Sequence, residues 1–255
     1  MILTDTHTHL YSEAFDSDRN LVIEKAMELG VRRFFIPAID SSYTKAMLDL
    51  EKAYPENIFL MTGLHPTHVK EDFKKELAHV EELLASRKFY AVGETGIDLY
   101  WDKTFLKEQQ IAFKQQIQWA KKYAYPIVIH CREGFDEIFQ ILEEEKSDGL
   151  FGIFHCFTGT FEQAQKAISY NMKLGIGGVV TFKNGKIDTF LGEIDLKHVV
   201  LETDSPYLAP VPYRGKRNES AYLVNVLEKM AQIYSMDKEE VAAITTANSQ
   251  QVFGA

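Results

Sequence analysis

The chain has 255 residues, 45% of them hydrophobic and 25% charged, with a formal net charge of −9 and two cysteines. This composition excludes a disordered or fibrous chain, and no run approaches the roughly 18 apolar residues of a membrane span. The acidic balance argues against broad electrostatic adhesion to nucleic acid, yet leaves room for an enzyme whose positive charge is bound metal.

Residues 1–255 suit one large domain. The first strand is expected over Ile2–Thr6, running into the tetrapeptide THTH, Thr6–His9. A helical period follows over Asn20–Leu29, then a strand over Arg33–Pro37, a helix over Tyr43–Ala53 and a strand over Ile58–Gly63. The next helix covers Phe73–Ser86, the next strand Phe89–Gly93, and a long helix Phe105–Tyr123. Strands over Ile127–His130, Gly152–His155, Met172–Gly175 and Val199–Glu202 are separated by helices over Phe135–Glu144 and Phe161–Ser169 and a weak one over Ile187–Leu191. A final βα unit ends with Ala221–Tyr234, and Lys238–Phe253 is surplus, an added terminal helix. Eight strands alternating with helices imply parallel pairing with right-handed crossovers, and at this length a (β/α)8 TIM-like barrel of class α/β.

Barrel enzymes place their chemistry at the C-terminal ends of the strands. Six of those ends carry groups able to bind metal or move protons: His7 and His9, His65, Glu94, His130, His155 and Asp204. A single histidine in a strand is more often a hydrogen-bonded structural residue than a ligand. His7 and His9 are two residues apart, so an extended backbone turns both rings to one face and Thr6 and Thr8 to the other. Convergence of six strand ends on one rim is what carries the metal reading. Nitrogen and carboxylate donors suit Zn, Mn, Co or Ni, with Mg at a carboxylate-rich position, and so many donors exceed the needs of one tetrahedral ion. The same alternation sends Cys131 and Cys156 to the helix layer if His130 and His155 enter the barrel mouth. Neither cysteine belongs to a CxxC pair, which suits a reduced, cytoplasmic setting, as does an N-terminus without a long apolar leader.

The motifs DTHTHL (Asp5–Leu10), GLHP (Gly63–Pro66), VGETGIDLYWDKT (Val92–Thr104), IHCRE (Ile129–Glu133), FHCFTGTFEQA (Phe154–Ala164), ETDSPYLAP (Glu202–Pro210) and RGKRNES (Arg214–Ser220) run along the whole chain. Together they resemble the TatD family of metal-dependent hydrolases, of the amidohydrolase-like barrels. The resemblance implies two divalent ions per chain, with His7, His9 and Asp204 on one, His130 and His155 on the other, and Glu94 bridging. It places His65 beside the ions as a substrate or phosphate contact. Three positions depart from the family pattern: Tyr11 stands where aspartate is common, Gly134-Phe135 follow HCRE, and Ser220 stands where proline is frequent.

The resemblance further implies a deoxyribonuclease, acting as an exonuclease, as an endonuclease near damage, or both, through a water acidified between two cations. Glu94 and Asp204 are its catalytic residues, Asp204 as general base. Arg132, two residues beyond His130, and Arg214, Lys216 and Arg217, after the last strand, are read as phosphate contacts. A solvated basic loop is the alternative for the last three. Glu202 and Asp5 are either partners for a histidine N–H or buried anchors of the barrel. Tyr100 and Trp101 either stack on a base or pack their loop. The expected partner is a nucleic acid substrate, DNA in the first instance, with no membrane and no protein partner. Hydrolysis of a carboxylic ester or amide, such as a D-aminoacyl-tRNA, is the competing activity, because the same chemistry attacks a carbonyl carbon.

Overall fold

A computed structural model describes residues 1–255. Eight parallel strands follow chain order: β1 (Leu3–Asp5), β2 (Val31–Ile36), β3 (Ile58–Leu60), β4 (Val92–Asp98), β5 (Ile127–Arg132), β6 (Gly152–Phe154), β7 (Met172–Ile176) and β8 (Val199–Leu201). β1–β3 and β4–β8 pair as two sheets, and backbone hydrogen bonds join them at both seams. Between β3 and β4, Gly93 N–H donates to Thr62 O at 2.9 Å and Thr62 N–H to Ala91 O at 3.2 Å. Between β8 and β1, Thr6 N–H donates to Leu201 O at 3.1 Å and Asp204 N–H to His7 O at 2.9 Å. The ring therefore closes as a (β/α)8 TIM-like barrel.

The helices α1 (Arg19–Glu28), α2 (Thr44–Ala53), α3 (Phe73–Ser86), α4 (Leu106–Tyr123), α5 (Phe135–Glu144), α6 (Phe161–Ser169) and α7 (Leu223–Tyr234) turn their apolar stripes onto the strands, and α8 (Lys238–Phe253) closes the chain. Their ends follow local chemistry. Thr160 and Gln163 form a capping box at the start of α6, and Gly254, at φ 69°, terminates α8 in the left-handed conformation that suits glycine.

Alternation along each strand divides two cores. Ile127 and Ile129 of β5 face the helices in a large cluster, whereas Val128 faces inward with Phe35, Met61, Ala91, Ile153 and Val200. The terminal helix α8 closes this inner core with Val252 and Phe253, the latter stacked on Phe35 at 3.8 Å between ring centroids. His130 lies two residues beyond Val128, and His155 two beyond Ile153, so the apolar inner layer leads directly to polar residues at the opposite mouth.

Several strand ends differ from expectation by one to three residues, β3 and β6 ending early at Leu60 and Phe154 and β5 running on to Arg132, and two elements differ more. β4 begins at Val92 and continues to Asp98, so Glu94 lies inside the strand and not beyond its end. Gly96 permits this: at φ +138°, a Cβ there would lie 2.1 Å from the carbonyl oxygen of His130 on β5. The weak helix over Ile187–Leu191 is instead two short 3-10 turns, Ile187–Thr189 and Leu191–Glu193. The segment is too short to offset helix nucleation, and Lys186 precedes it in the left-handed conformation.

Candidate metal centre

At the C-terminal mouth, five histidines surround the buried carboxylate of Glu94. Its Oε2 lies 3.0 Å from His7 Nε2 and 3.8 Å from His9 Nε2. Its Oε1 lies 2.9 Å from His130 Nδ1, 2.9 Å from His155 Nε2 and 3.2 Å from His65 Nε2. Asp204 stands on the Oε2 side, with Oδ1 3.5 Å from His9 Nε2 and 3.9 Å from His7 Nε2. Asp204 reaches in from a left-handed turn at φ 56°, a conformation aspartate tolerates better than most residues. All seven residues named at the strand ends thus meet in one place.

The far nitrogen of most of these rings is engaged, and that fixes which nitrogen faces Glu94. His155 Nδ1 lies 3.3 Å from Glu202 Oε1, which also accepts the Cys156 N–H at 2.6 Å. His9 Nδ1 is 2.8 Å from the Tyr11 hydroxyl, and His130 Nε2 is 2.8 Å from Asp98 Oδ2. Asp98 and Glu202 only accept, so they draw a proton to the outward nitrogens of His130 and His155, and the inward nitrogens, each 2.9 Å from Glu94 Oε1, face it across a proton or a cation. His65 is the opposite case. Its Nδ1 accepts the Thr67 N–H at 3.2 Å, so the proton sits on Nε2 and the ring donates toward Glu94. Burial holds its pKa down at about 4, so His65 is a neutral hydrogen-bond donor at the mouth.

Lone pairs aimed at a carboxylate repel it unless a proton or cation lies between. His7 sharpens the point: the ring is fully buried and stacked on His155 at 3.8 Å, and neither of its nitrogens makes a hydrogen bond. Such a group is costly unless something else satisfies it. Burial alone would raise the pKa of Glu94, but His155, His65 and His7 hold it well below the usual range. Burial also opposes ionisation of Asp204, and His9 and His155 outweigh it. Two ionised carboxylates among inward imidazole nitrogens fit divalent cations, and two overlapping donor sets lie within metal-binding reach, His7, His155 and Asp204 and His7, His9 and Glu94, while a third group, His65, Glu94 and His130, is as close but has the His65 N–H pointing into it.

Two residues here had no assigned role in the sequence reading. Asp98 holds His130 and also accepts the N–H groups of Tyr100 and Trp101 at 3.0 and 3.2 Å. Alternation from Glu94 would have found it, had the strand been extended to residue 98. Tyr11, noted only as a departure from the family pattern, is the partner of His9. Asp5 is a barrel anchor, accepting the Thr203 N–H at 2.9 Å and hydroxyl at 2.6 Å. Thr6 and Thr8 bond Leu201 O and Ser205 Oγ, on the side away from Glu94.

The centre opens into a cavity of about 580 Å³ lined by His9, His65, Glu94, His130, His155 and Asp204, with Arg132, Trp101 and Tyr207 at its walls. Arg132 lies over the Tyr100 ring at 3.7 Å and has no carboxylate partner. Arg214, Lys216 and Arg217 do not line this cavity. Arg217 makes a bidentate pair with Asp18 at 2.8 and 2.7 Å, and Arg214 lies over Phe182 at 3.6 Å. Cys131 packs against the outer core as expected, though it also reaches the cavity wall. Cys156 does not follow the alternation: β6 ends at Phe154, and a left-handed turn at φ 43° brings Cys156 to the cavity. Burial raises both thiols, Cys131 to about 12, so neither resembles a thiolate ligand.

Residues 4–254 match the family model described as TatD related DNase. The chain belongs to this family. It is 38% identical to the uncharacterized metal-dependent hydrolase YabD of Bacillus subtilis, over 99% of each chain. It is 28% identical to the 3'-5' ssDNA/RNA exonuclease TatD of Erwinia tasmaniensis, over 98% of each. Among solved structures, the TatD homolog YJJV of Escherichia coli superposes with a TM-score of 0.93 at 26% identity, over 99% of this chain and 98% of that one. The protein is thus a metal-dependent hydrolase of the TatD family.

Proposed function

We propose that the chain is a metal-dependent nuclease, a deoxyribonuclease in the first instance, with two divalent ions held around Glu94. The observation that carries this reading is how the donors divide between the two oxygens of Glu94. Oε2 faces His7 and His9, with Asp204 beside them, and Oε1 faces His130 and His155. One carboxylate so placed would serve two ions at once, the first held with His7, His9 and Asp204 and the second with His130 and His155. When bound, the ions supply Lewis acidity to a phosphoryl group and lower the pKa of water toward about 7.

The chain's own residues do the rest. Asp204, kept ionised and lining the cavity, accepts the proton of the attacking water as general base. His65 presents its Nε2–H to a non-bridging phosphate oxygen, and being neutral it does not compete with the cations. Arg132, free of any carboxylate and steadied on Tyr100, positions the phosphate by charge-assisted contacts. Arg214 and Lys216 lie farther out and act on the flanking backbone of a longer substrate. Arg217, engaged with Asp18, serves by fixing their loop. A nucleic acid substrate is supported by the family description and by the relative named as a single-stranded DNA and RNA exonuclease.

The test is a panel of single-stranded DNA, abasic duplex and D-aminoacyl-tRNA, each assayed with Mg²⁺, Mn²⁺ and Zn²⁺. Cleavage of single-stranded DNA is expected. DNA left intact under every metal, with the aminoacyl ester hydrolysed, would transfer the same centre to carbonyl chemistry.

A further inference from the structure

Trp101 is 71% exposed, the most exposed of the large hydrophobic side chains, and it lines the cavity that contains Glu94 and Arg132. Within its loop it meets only Tyr100, in a T-shaped contact at 4.9 Å between ring centroids, and the Arg132 guanidinium lies over its ring at 5.4 Å from the centroid. The loop beneath it is held firmly, because Asp98 accepts the N–H groups of both Tyr100 and Trp101 while its other oxygen holds His130. A flat apolar ring is therefore anchored through one carboxylate to a candidate metal ligand, with most of its surface in solvent and a cation that has no carboxylate partner over its ring.

We infer that Trp101 is a stacking platform for a nucleobase, and that with Arg132 it forms a subsite for a nucleotide whose phosphate lies at the metal centre. This rests on the nuclease reading above. The chemistry is complementary on both counts: the indole face accepts any base without reading its edges, and the guanidinium carries the charge that a phosphodiester requires. A base inside a duplex has both faces covered by its neighbours, whereas an unpaired or terminal base has one to offer. The subsite therefore selects single strands, frayed ends and extruded nucleotides over intact duplex.

The chain offers its own reporter. It has two tryptophans, and Trp119 is only 4% exposed, so solvent-accessible tryptophan emission belongs to Trp101. The metal-loaded protein is titrated with a phosphorothioate oligothymidylate and with an abasic strand of the same length and backbone. Oligothymidylate is expected to quench the emission and shield it from acrylamide, and to bind about 5- to 150-fold tighter than the abasic strand, the range that one stacked base supplies. Trp101→Ala should bring that preference close to unity, and Trp101→Phe should retain much of it while the fluorescence change disappears. The side chain is exposed, so both variants should keep the circular dichroism spectrum and melting temperature of the parent. Equal binding of the two strands by the parent, or an undiminished preference in Trp101→Ala, overturns the subsite; if the parent still cleaves ordinary DNA, the nuclease reading stands. A parent that neither binds nor cleaves any strand overturns both.

Discussion

Asp98 Oδ2 lies 2.8 Å from His130 Nε2, and Glu94 Oε1 lies 2.9 Å from Nδ1 of the same ring. One imidazole thus spans two carboxylates of a single strand. Asp98 holds a proton on Nε2, and Nδ1 faces Glu94 across either a second proton or a cation.

Asp98→Asn should upset this arrangement without removing volume. An amide N–H turned toward His130 favours the tautomer whose proton sits on Nδ1, the nitrogen that faces Glu94. Metal affinity is expected to fall about 10- to 100-fold, the usual effect of losing such a partner. Titration of metal-free protein, followed by calorimetry, reads the change.

Glu94→Gln keeps the shape of the side chain and removes the charge that all five histidines face. The protein purified without added metal should contain about two ions per chain, and the variant fewer. Asp204→Asn should retain more metal but lose about 10²- to 10⁴-fold in rate, as expected for a lost general base. Folded variants with undiminished hydrolysis would refute both roles.

Chelation should remove activity and stability together, because ligands that bind only the folded state stabilise it by mass action. At free metal a thousandfold above Kd, each site contributes about 4 kcal/mol. The melting temperature should fall on chelation and recover when metal is restored. An unchanged melting temperature would mean that the imidazole cluster persists without cations.

Gly175→Ala tests the support behind His155. A Cβ at Gly175 would lie 2.2 Å from Glu202 Oε2 and 3.1 Å from His155 Cα. Glu202 must move, and its contacts with His155 Nδ1 and the Cys156 N–H go with it. We expect a loss of about 1–3 kcal/mol in urea unfolding, as for overpacked interiors, with weaker metal retention.

Arg217→Ala distinguishes loop support from substrate contact. Its guanidinium bonds Asp18 through two nitrogens and the Ala14 carbonyl at 2.7 Å. Both partners are partly exposed, so the stability loss should be about 1 kcal/mol or less. Arg132→Ala should instead raise KM for DNA with little change in unfolding. The reverse pattern would return Arg217 to the substrate.

The sequence by itself determined the alternation of strands and helices, and therefore the barrel, because both periodicities are local properties of the chain. It also named His7, His9, His65, Glu94, His130, His155 and Asp204 as groups that a parallel barrel brings to one rim, although Glu94 lies within its strand and not at its end. Tertiary structure decided what no local rule could: which oxygen of Glu94 each histidine faces, that Asp98 and Tyr11 hold His130 and His9, and that Arg217 turns to Asp18 while Arg132 stays free. It also moved Cys156 to the cavity, since alternation ends where β6 ends. The reason is physical: side-chain direction follows from neighbouring residues in the chain, whereas a hydrogen-bond partner on another strand depends on how closely the backbones approach and how the ring closes.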